Sequence, residues 1–260
     1  MIQSVSTPEY RAEFARRIRN KPYFEATMGT HCALFGEHPA SGWSFYLLPG
    51  TAALALRGGT ATLCGQLPAG EAGEDAAEEL QGFLRFIQVD RLLSEQQPLE
   101  GWQPAESLLL WELPQGNALP LPAALPAELQ LNKQPAMLPV SRLVFPDGKA
   151  EQEQFYSLAC TAIAHGIGCC RVLMYHHTPV CTVGCYEQSD GEAYMAAGVT
   201  APEWRGRGLA GWLIVQLANE LAAKRTVRFA SAPALQPFYT RLGFLQSGTI
   251  QQYTREWEKV

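Results

Sequence analysis

Long uninterrupted hydrophobic runs are missing from this 260-residue sequence, although 47% of its residues are hydrophobic. No stretch approaches the roughly 20 apolar residues of a membrane-spanning helix, and the longest candidates, such as 108–111, are typical of strands. The first residues lack a basic segment followed by an apolar one, so we expect no signal peptide. These absences favour a globular chain without a membrane partner.

An excess of basic residues is also absent. The chain has 20 Lys and Arg against 25 Asp and Glu, a formal net charge of −5. Nucleic acids are bound largely through basic surfaces, and the basic face between Arg11 and Lys21 stands alone, so we expect no nucleic-acid partner. A local anion-binding site is still possible, because the amide groups at a helix start bind anions without net positive charge on the protein.

The cysteine pattern indicates free thiols. Seven cysteines, an odd number, in a chain without an expected signal peptide predict a reduced, cytoplasmic protein. Adjacent Cys169 and Cys170 would point to opposite faces of a strand, whereas a zinc site needs about four converging ligands. We therefore expect no metal in the cluster that these two form with His176, His177, Cys181 and Cys185.

A proline-rich segment divides the chain into two similar halves. Six prolines lie between 114 and 139, and since proline removes backbone donors they predict an extended connector. We place a first domain at 1–113, a linker at 114–137 and a second domain at 138–260. Each half has the order helix, strands, helix, strands, which predicts an α/β (α+β) fold with a mixed sheet.

Periodicity and turn residues predict the individual elements. In the first half we expect helices at about 8–19, after an N-cap at Thr7, and 74–88, with strands at 43–48, 52–57, 61–64, 90–93 and 107–113. In the second half we expect helices at about 151–165, 209–224 and 237–242, with strands at 138–145, 171–176, 180–187, 193–199, 227–230, 244–247 and 250–257.

Two glycines introduce the helix that starts near Leu209. Gly206 and Gly208 lack a Cβ, so an anion can approach the main chain. The first N–H groups of a helix have no internal partner, and the helix dipole adds partial positive charge there. The segment therefore predicts an anion site, although the same glycines could merely turn a loop into a helix. Its spacing is not that of a Walker motif.

Two boxes in the second half resemble the GNAT superfamily of N-acetyltransferases. The run Arg205-Gly206-Arg207-Gly208-Leu209-Ala210 is similar to that family's R/Q-x-x-G-x-G/A signature, after a Val199-to-Trp204 approach segment. Downstream, the segment from Phe238 to Phe244 resembles its FYxxLGF box. The resemblance covers about residues 138–260, and the first half, which lacks the signature, is similar only in element order to a degenerate GNAT-like domain.

The resemblance implies a GNAT fold with coenzyme A in a cleft between the splayed fourth and fifth strands. Acetyl-CoA is then the expected co-substrate, its pantetheine on the β-strand edge and its pyrophosphate on the helix start. The implied cofactor-binding residues are Ala197, Gly198, Val199, Arg205, Gly206, Arg207, Gly208, Leu209, Ala210 and Gly211. The first domain would support the second domain or form one wall of its acceptor cleft.

The resemblance also implies direct attack of an amine, from a small molecule or a peptide, on the thioester. It places Tyr239 as the general acid, although a packed core tyrosine would give the same sequence. Glu192 is the first candidate for the general base, acting directly or through water. Glu192 could instead be a solvated strand end without a catalytic role. In that case Glu187 or a chain of water molecules could accept the proton. The alternative function is a non-catalytic acyl-CoA sensing module. The acceptor's identity and the oligomeric state are left open.

Overall fold

The computed structural model describes residues 1–95, 99–122 and 124–257. Residues 96–98 of the predicted first domain, Ala123 of the predicted linker and residues 258–260 of the predicted second domain lie outside this range. The chain forms two compact units. The first comprises 1–110, 230–236 and 247 onward, and the second comprises 111–229 and 237–246. The division at 114–137 stays a prediction.

The first unit is a sheet with helices on both faces. Its helices are α1 (Pro8–Ile18), α2 (Phe24–Phe35) and α3 (Glu71–Phe86), and its strands are β1 (Gln3–Ser4), β2 (Trp43–Leu47), β3 (Ala53–Arg57), β4 (Thr60–Cys64), β5 (Arg91–Ser94) and β6 (Gln103–Pro104). Strands β1 to β5 follow each other in the sheet, all antiparallel except the parallel pair β4 and β5. The Thr7 hydroxyl caps α1, as predicted, by accepting from the Tyr10 N–H at 3.3 Å.

Strand β3 shows why helices cover both faces of this sheet. Its residues are buried on alternate sides, because successive side chains of a strand point in opposite directions. Ala53 and Ala55 pack in the cluster that contains Phe14 of α1 and Met28 of α2. Leu54 and Leu56 point to the other face and pack against α3. They belong to the cluster that contains Leu54, Leu56, Leu63, Leu80, Leu84 and Leu92.

The second unit contains a second mixed sheet. Its helices are α4 (Met137–Val144), α5 (Lys149–Ala164), α6 (Leu209–Ala222) and α7 (Gln236–Leu242). Its strands are β8 (Leu129–Asn132), β9 (Cys169–Tyr175), β10 (Thr178–Gln188), β11 (Glu192–Thr200) and β12 (Thr226–Ser231). The division between the units falls within two further strands, at Trp111 of β7 (Leu108–Leu113) and at Ser247 of β13 (Leu245–Thr254). Neighbouring strands in this second sheet follow the order β7-β12-β11-β10-β9-β8.

Two sequence expectations in this half are corrected. The strand predicted at 138–145 is wrong, because these residues lie in helix α4, which buries Met137, Val140 and Ser141 at helical spacing. Pro139 fits there because it falls in the first turn, where its missing N–H would have no helical partner. The proline-rich segment is also more than a connector, since it contains β8, which pairs antiparallel with β9.

Helices α5 and α6 lie on opposite faces of the second sheet. On one face, Phe155 of α5 contacts Tyr186 of β10, ring centroids 5.3 Å apart. On the other face, Arg171 of β9 binds Glu220 of α6. Within the described residues, no helix combines the length and the apolar character of a membrane span.

Candidate active site

Strands β11 and β12 part soon after they begin. Their parallel ladder joins Glu192 to Thr226 and ends where Tyr194 pairs with Arg228. Beyond that point β11 continues to Thr200 while paired with β10 on its other side. The residues 195–200 therefore present an edge that β12 does not cover, and this edge contains the predicted pantetheine-binding residues Ala197, Gly198 and Val199.

A β-bulge re-aims the main chain of this edge. The pairing of β11 with β10 shifts register between the Val199 and Ala196 positions, and Ala197 has a left-handed φ of 55°. A left-handed alanine costs on the order of 1 kcal/mol or more, and such strain is concentrated at functional sites. The bulge turns peptide groups away from the regular ladder, so they are available to a ligand lying along the edge.

The start of α6 is uncapped and unobstructed. Gly206 and Gly208 both have a φ of 76°, and a Cβ built on either would meet nothing within 4 Å. Gly208 offers no side-chain cap, and the first N–H that bonds back is that of Trp212, which donates to the Gly208 carbonyl at 3.1 Å. The earlier amides of Leu209, Ala210 and Gly211 have no carbonyl one turn behind them and point outward from the helix start.

The two arginines of this loop are held by local contacts. The Arg205 Nε–H donates to the Thr200 carbonyl at 3.2 Å. The Arg207 guanidinium lies 4.5 Å from the ring centroid of Trp204, which is buried and contacts Tyr175. Because both side chains are exposed but anchored, they place positive charge at the rim of the helix start without filling it.

Tyr239 lies on α7 in an aromatic cluster near this helix start. Its ring centroid is 4.5 Å from that of Phe229 and 5.6 Å from that of Trp111. Burial raises the pKa of its phenol. A Cβ on Gly211 would lie 3.1 Å from Leu242, so the missing side chain lets α6 and α7 approach closely. In the part of the chain that the structure describes, the Tyr239 hydroxyl has no hydrogen-bond partner.

Residues 152–246 match the family model described as the acetyltransferase (GNAT) domain. The second half carries a GNAT domain. The match contains β9 to β12, the α6 start and the Tyr239 helix, so the geometry and the family agree on the same stretch of chain. No curated protein matches the sequence.

The GNAT fold extends over both halves of the chain. A tandem GNAT protein from the clavulanic acid biosynthesis pathway is 16% identical, with a TM-score of 0.67 and 98% of each chain covered. A GCN5-related N-acetyltransferase from Sphaerobacter thermophilus is 12% identical, with a TM-score of 0.65 and coverage of 98% of this chain and 95% of that one. A third, from Kribbella flavida, is 15% identical, with a TM-score of 0.62 and coverage of 82% and 89%. At these identities the likeness concerns the fold.

Glu192, the first candidate for the base, lies away from Tyr239. Phe229 and Trp111 contact Tyr239, so the alternation of β12 places Arg228 on the opposite face of the GNAT sheet. Glu192 shares that opposite face, and it is only 5% exposed. Its carboxylate lies 2.7 Å from Arg228 Nε. Access to this carboxylate from the gap therefore requires a water molecule or a movement of Arg228.

Sequence reasoning missed Arg228 and Glu112. The Arg228 guanidinium also pairs with the Glu112 carboxylate on β7, so one cation holds two carboxylates. A charged residue inside the apolar strand 227–230 was a signal for Arg228, but nothing in the sequence links it to a glutamate 116 positions earlier. Glu187, the other candidate for the base, is half-buried and pairs with Tyr194 on the same face.

Removing this guanidinium is expected to destabilise the GNAT domain. In Arg228→Ala the carboxylate of Glu192 stays buried and loses the cation 2.7 Å away. We expect the free energy of unfolding to fall by about 3 kcal/mol in a denaturant titration. The exposed Arg142→Ala is the matched control and should change little. The double variant Glu192→Gln/Arg228→Met should recover most of the loss; no recovery would show that this pair is not the cause.

In the first unit, the position that corresponds to the gap is closed. Strands β4 and β5 stay paired along their length, from Thr60–Arg91 to Leu63–Ser94. Past the last pair, Glu95 bridges the strands by accepting from the Gly65 N–H at 3.0 Å, and Lys21 binds the same carboxylate. A carboxylate here and acidic residues in the first turn of α3 repel a diphosphate, which fits the absence of the glycine signature.

The cysteines are free thiols in the structure. Burial raises the pKa of Cys181 to about 11 and that of Cys32 to about 11, so these thiols are poor nucleophiles at neutral pH. The described residues contain no group of three or more His, Cys, Asp or Glu side chains that could hold a metal ion.

Proposed function

We propose that the GNAT domain transfers an acetyl group from acetyl-CoA to a primary amine. The family supports acyl transfer in general. The observation that carries the finer proposal is the uncapped start of α6, with Gly206 and Gly208 in the left-handed region, beside the uncovered edge of β11. The helix start suits a diphosphate, and the edge suits the amide-containing pantetheine arm as an added strand.

The proposed binding mode uses main-chain groups throughout. The pyrophosphate accepts hydrogen bonds from amides between Gly206 and Gly211, with Arg205 and Arg207 at the rim. The pantetheine arm pairs with Ala197, Gly198 and Val199. This path runs from the α6 start along β11 toward the point where β11 and β12 meet. It brings the thioester near Tyr239, since Gly211 lets the Tyr239 helix approach α6.

The proposed reaction is direct attack. The neutral amine nitrogen forms a bond to the thioester carbon, the carbon–sulfur bond breaks, and the sulfur leaves as a thiolate. Tyr239 gives its proton to that thiolate, since burial keeps the phenol protonated at neutral pH. The amine loses its proton to water held by Glu192, whose buried ion pair rules out close direct contact in the observed geometry. A backbone N–H near Val199 stabilises the oxyanion.

Calorimetry and a thiol-release assay test the proposal together. We expect one acetyl-CoA site per chain, because among the described residues only the second unit has an open helix start beside a gap. We expect free thiol to appear when a panel of primary amines is added to the acetyl-CoA complex. Absence of coenzyme A binding would refute the proposal. Tight binding without thiol release from any amine would favour the alternative, a sensing module that binds acyl-CoA without turnover.

A further inference from the structure

Three charged side chains meet on one face of the second sheet. Glu112 of β7, Arg228 of β12 and Glu192 of β11 come from three neighbouring strands, with the arginine between the two carboxylates. Arg228 pairs in register with Tyr194, the last residue of the β11–β12 ladder. The cluster therefore stands at the point where the gap opens, which under the proposed function is next to the thioester.

The cluster lies on the side from which an acceptor must arrive. Trp111 and Phe229 contact Tyr239, so their strand neighbours Glu112 and Arg228 point to the other face. Coenzyme A approaches from the α6 and α7 side, where the helix start and the proton donor for its sulfur lie. The nucleophile approaches from the side that the leaving sulfur does not occupy, which is the face of Glu112.

The two carboxylates differ in access. The side chain of Glu192 is 7% exposed, whereas that of Glu112 is 23% exposed. Both carboxyl groups of the cluster contact the same guanidinium, that of Arg228. Glu187, opposite Tyr194 on β10, places a third carboxyl group on the same face. The more accessible carboxyl group of the cluster is thus that of Glu112.

We propose that Glu112 binds the positive charge of the acceptor, and that the acceptor class is cationic amines rather than amines that carry a carboxylate. Arg228 is a positioning residue: it holds the Glu112 carboxylate at the gap and neutralises the buried Glu192. An ammonium group fits because it donates to the oxygens that Arg228 leaves open, whereas a carboxylate would be repelled. This inference rests on the proposed acetyltransferase function.

Three amines with the same carbon chain test it: 1,4-diaminobutane, 1-aminobutane and 4-aminobutanoate. In the wild-type protein we expect kcat/KM to fall in that order, by about tenfold or more from first to last. In Glu112→Gln we expect the KM of the diamine to rise about tenfold, with kcat and the affinity for acetyl-CoA nearly unchanged. 1-Aminobutane, which has no second charged group, should respond little, which a merely structural role would not produce.

Glu106→Gln removes an exposed carboxylate outside the cluster and is the matched control. Turnover without any preference for charge, or an equal loss for all three amines in Glu112→Gln, would overturn the inference and leave the acetyltransferase proposal standing. If none of the three is acetylated, the same comparison is made by calorimetry on the coenzyme A complex, where failure of the diamine to bind overturns it. Loss of coenzyme A binding in the wild-type protein would instead contradict the proposed function.

Discussion

Replacing Gly206 and Gly208 together with valine should weaken coenzyme A binding by about a thousandfold, because several hydrogen bonds to a charged diphosphate are lost. Both glycines have a φ of 76°, which a β-branched residue adopts only with strain. The valine side chains would also occupy the space in which a Cβ now meets nothing within 4 Å. Calorimetric titration with coenzyme A measures the effect.

The control for this pair is Gly116→Val/Gly166→Val. These glycines lie in the same unit, with φ of 81° and 71°, and a Cβ on either also meets nothing within 4 Å. The control should therefore lose a similar amount of stability while it keeps its affinity for coenzyme A. Equal loss of affinity in both double variants would mean that strain, and not the helix start, explains the result.

Tyr239→Phe should lower kcat by about a hundredfold to a thousandfold, within the range that a general acid contributes. The ring cluster with Phe229 and Trp111 does not need the hydroxyl, so the fold and the affinity for acetyl-CoA should be kept. Stopped-flow detection of the released thiol, with saturating acetyl-CoA, measures the chemical step.

The pH dependence of the rate distinguishes a catalytic role of the Tyr239 hydroxyl from a role in packing. Burial raises the pKa of Tyr239 above its usual value of 10, so the protonated, active form persists through neutral pH and is lost only as pH rises past the raised pKa. The wild-type rate should fall on that alkaline side, and the fall should be missing in Tyr239→Phe. Tyr156→Phe, on the half-exposed face of α5, is the control. Unchanged turnover of Tyr239→Phe at every pH would remove the residue from the mechanism.

The unequal halves give the chain one proposed cofactor site. Both halves have the GNAT fold, but within the described part of the chain the parallel strands part only in the second, where β11 and β12 separate after Tyr194. In the first, Glu95 and Gly65 join the strands beyond the last ladder pair. Whether the two parallel strands separate or stay joined depends on a few residues that follow equivalent strands. A small change in sequence is therefore enough to remove the ligand site.

The helix start was readable from consecutive residues. The run from Arg205 to Gly211 sets the φ angles, the amide directions and the absence of a cap within one turn of chain, so no distant contact is needed to describe it. The same holds for the Thr7 cap and for most helices and strands, whose periodicity is local. The helix α4 was misread because the apolar residues of 138–145 carry no period that separates a buried helix from a strand.

The charge arrangement around Glu192 depended on which strands became neighbours. Glu112, Glu192 and Arg228 are far apart in the chain, and only the order β7-β12-β11 and the register of the ladder bring them to one face. Burial then turned Glu192 from an expected strand end into a partner of Arg228. An amide direction is set by its own residues, whereas a buried ion pair exists only once distant strands have excluded water around it.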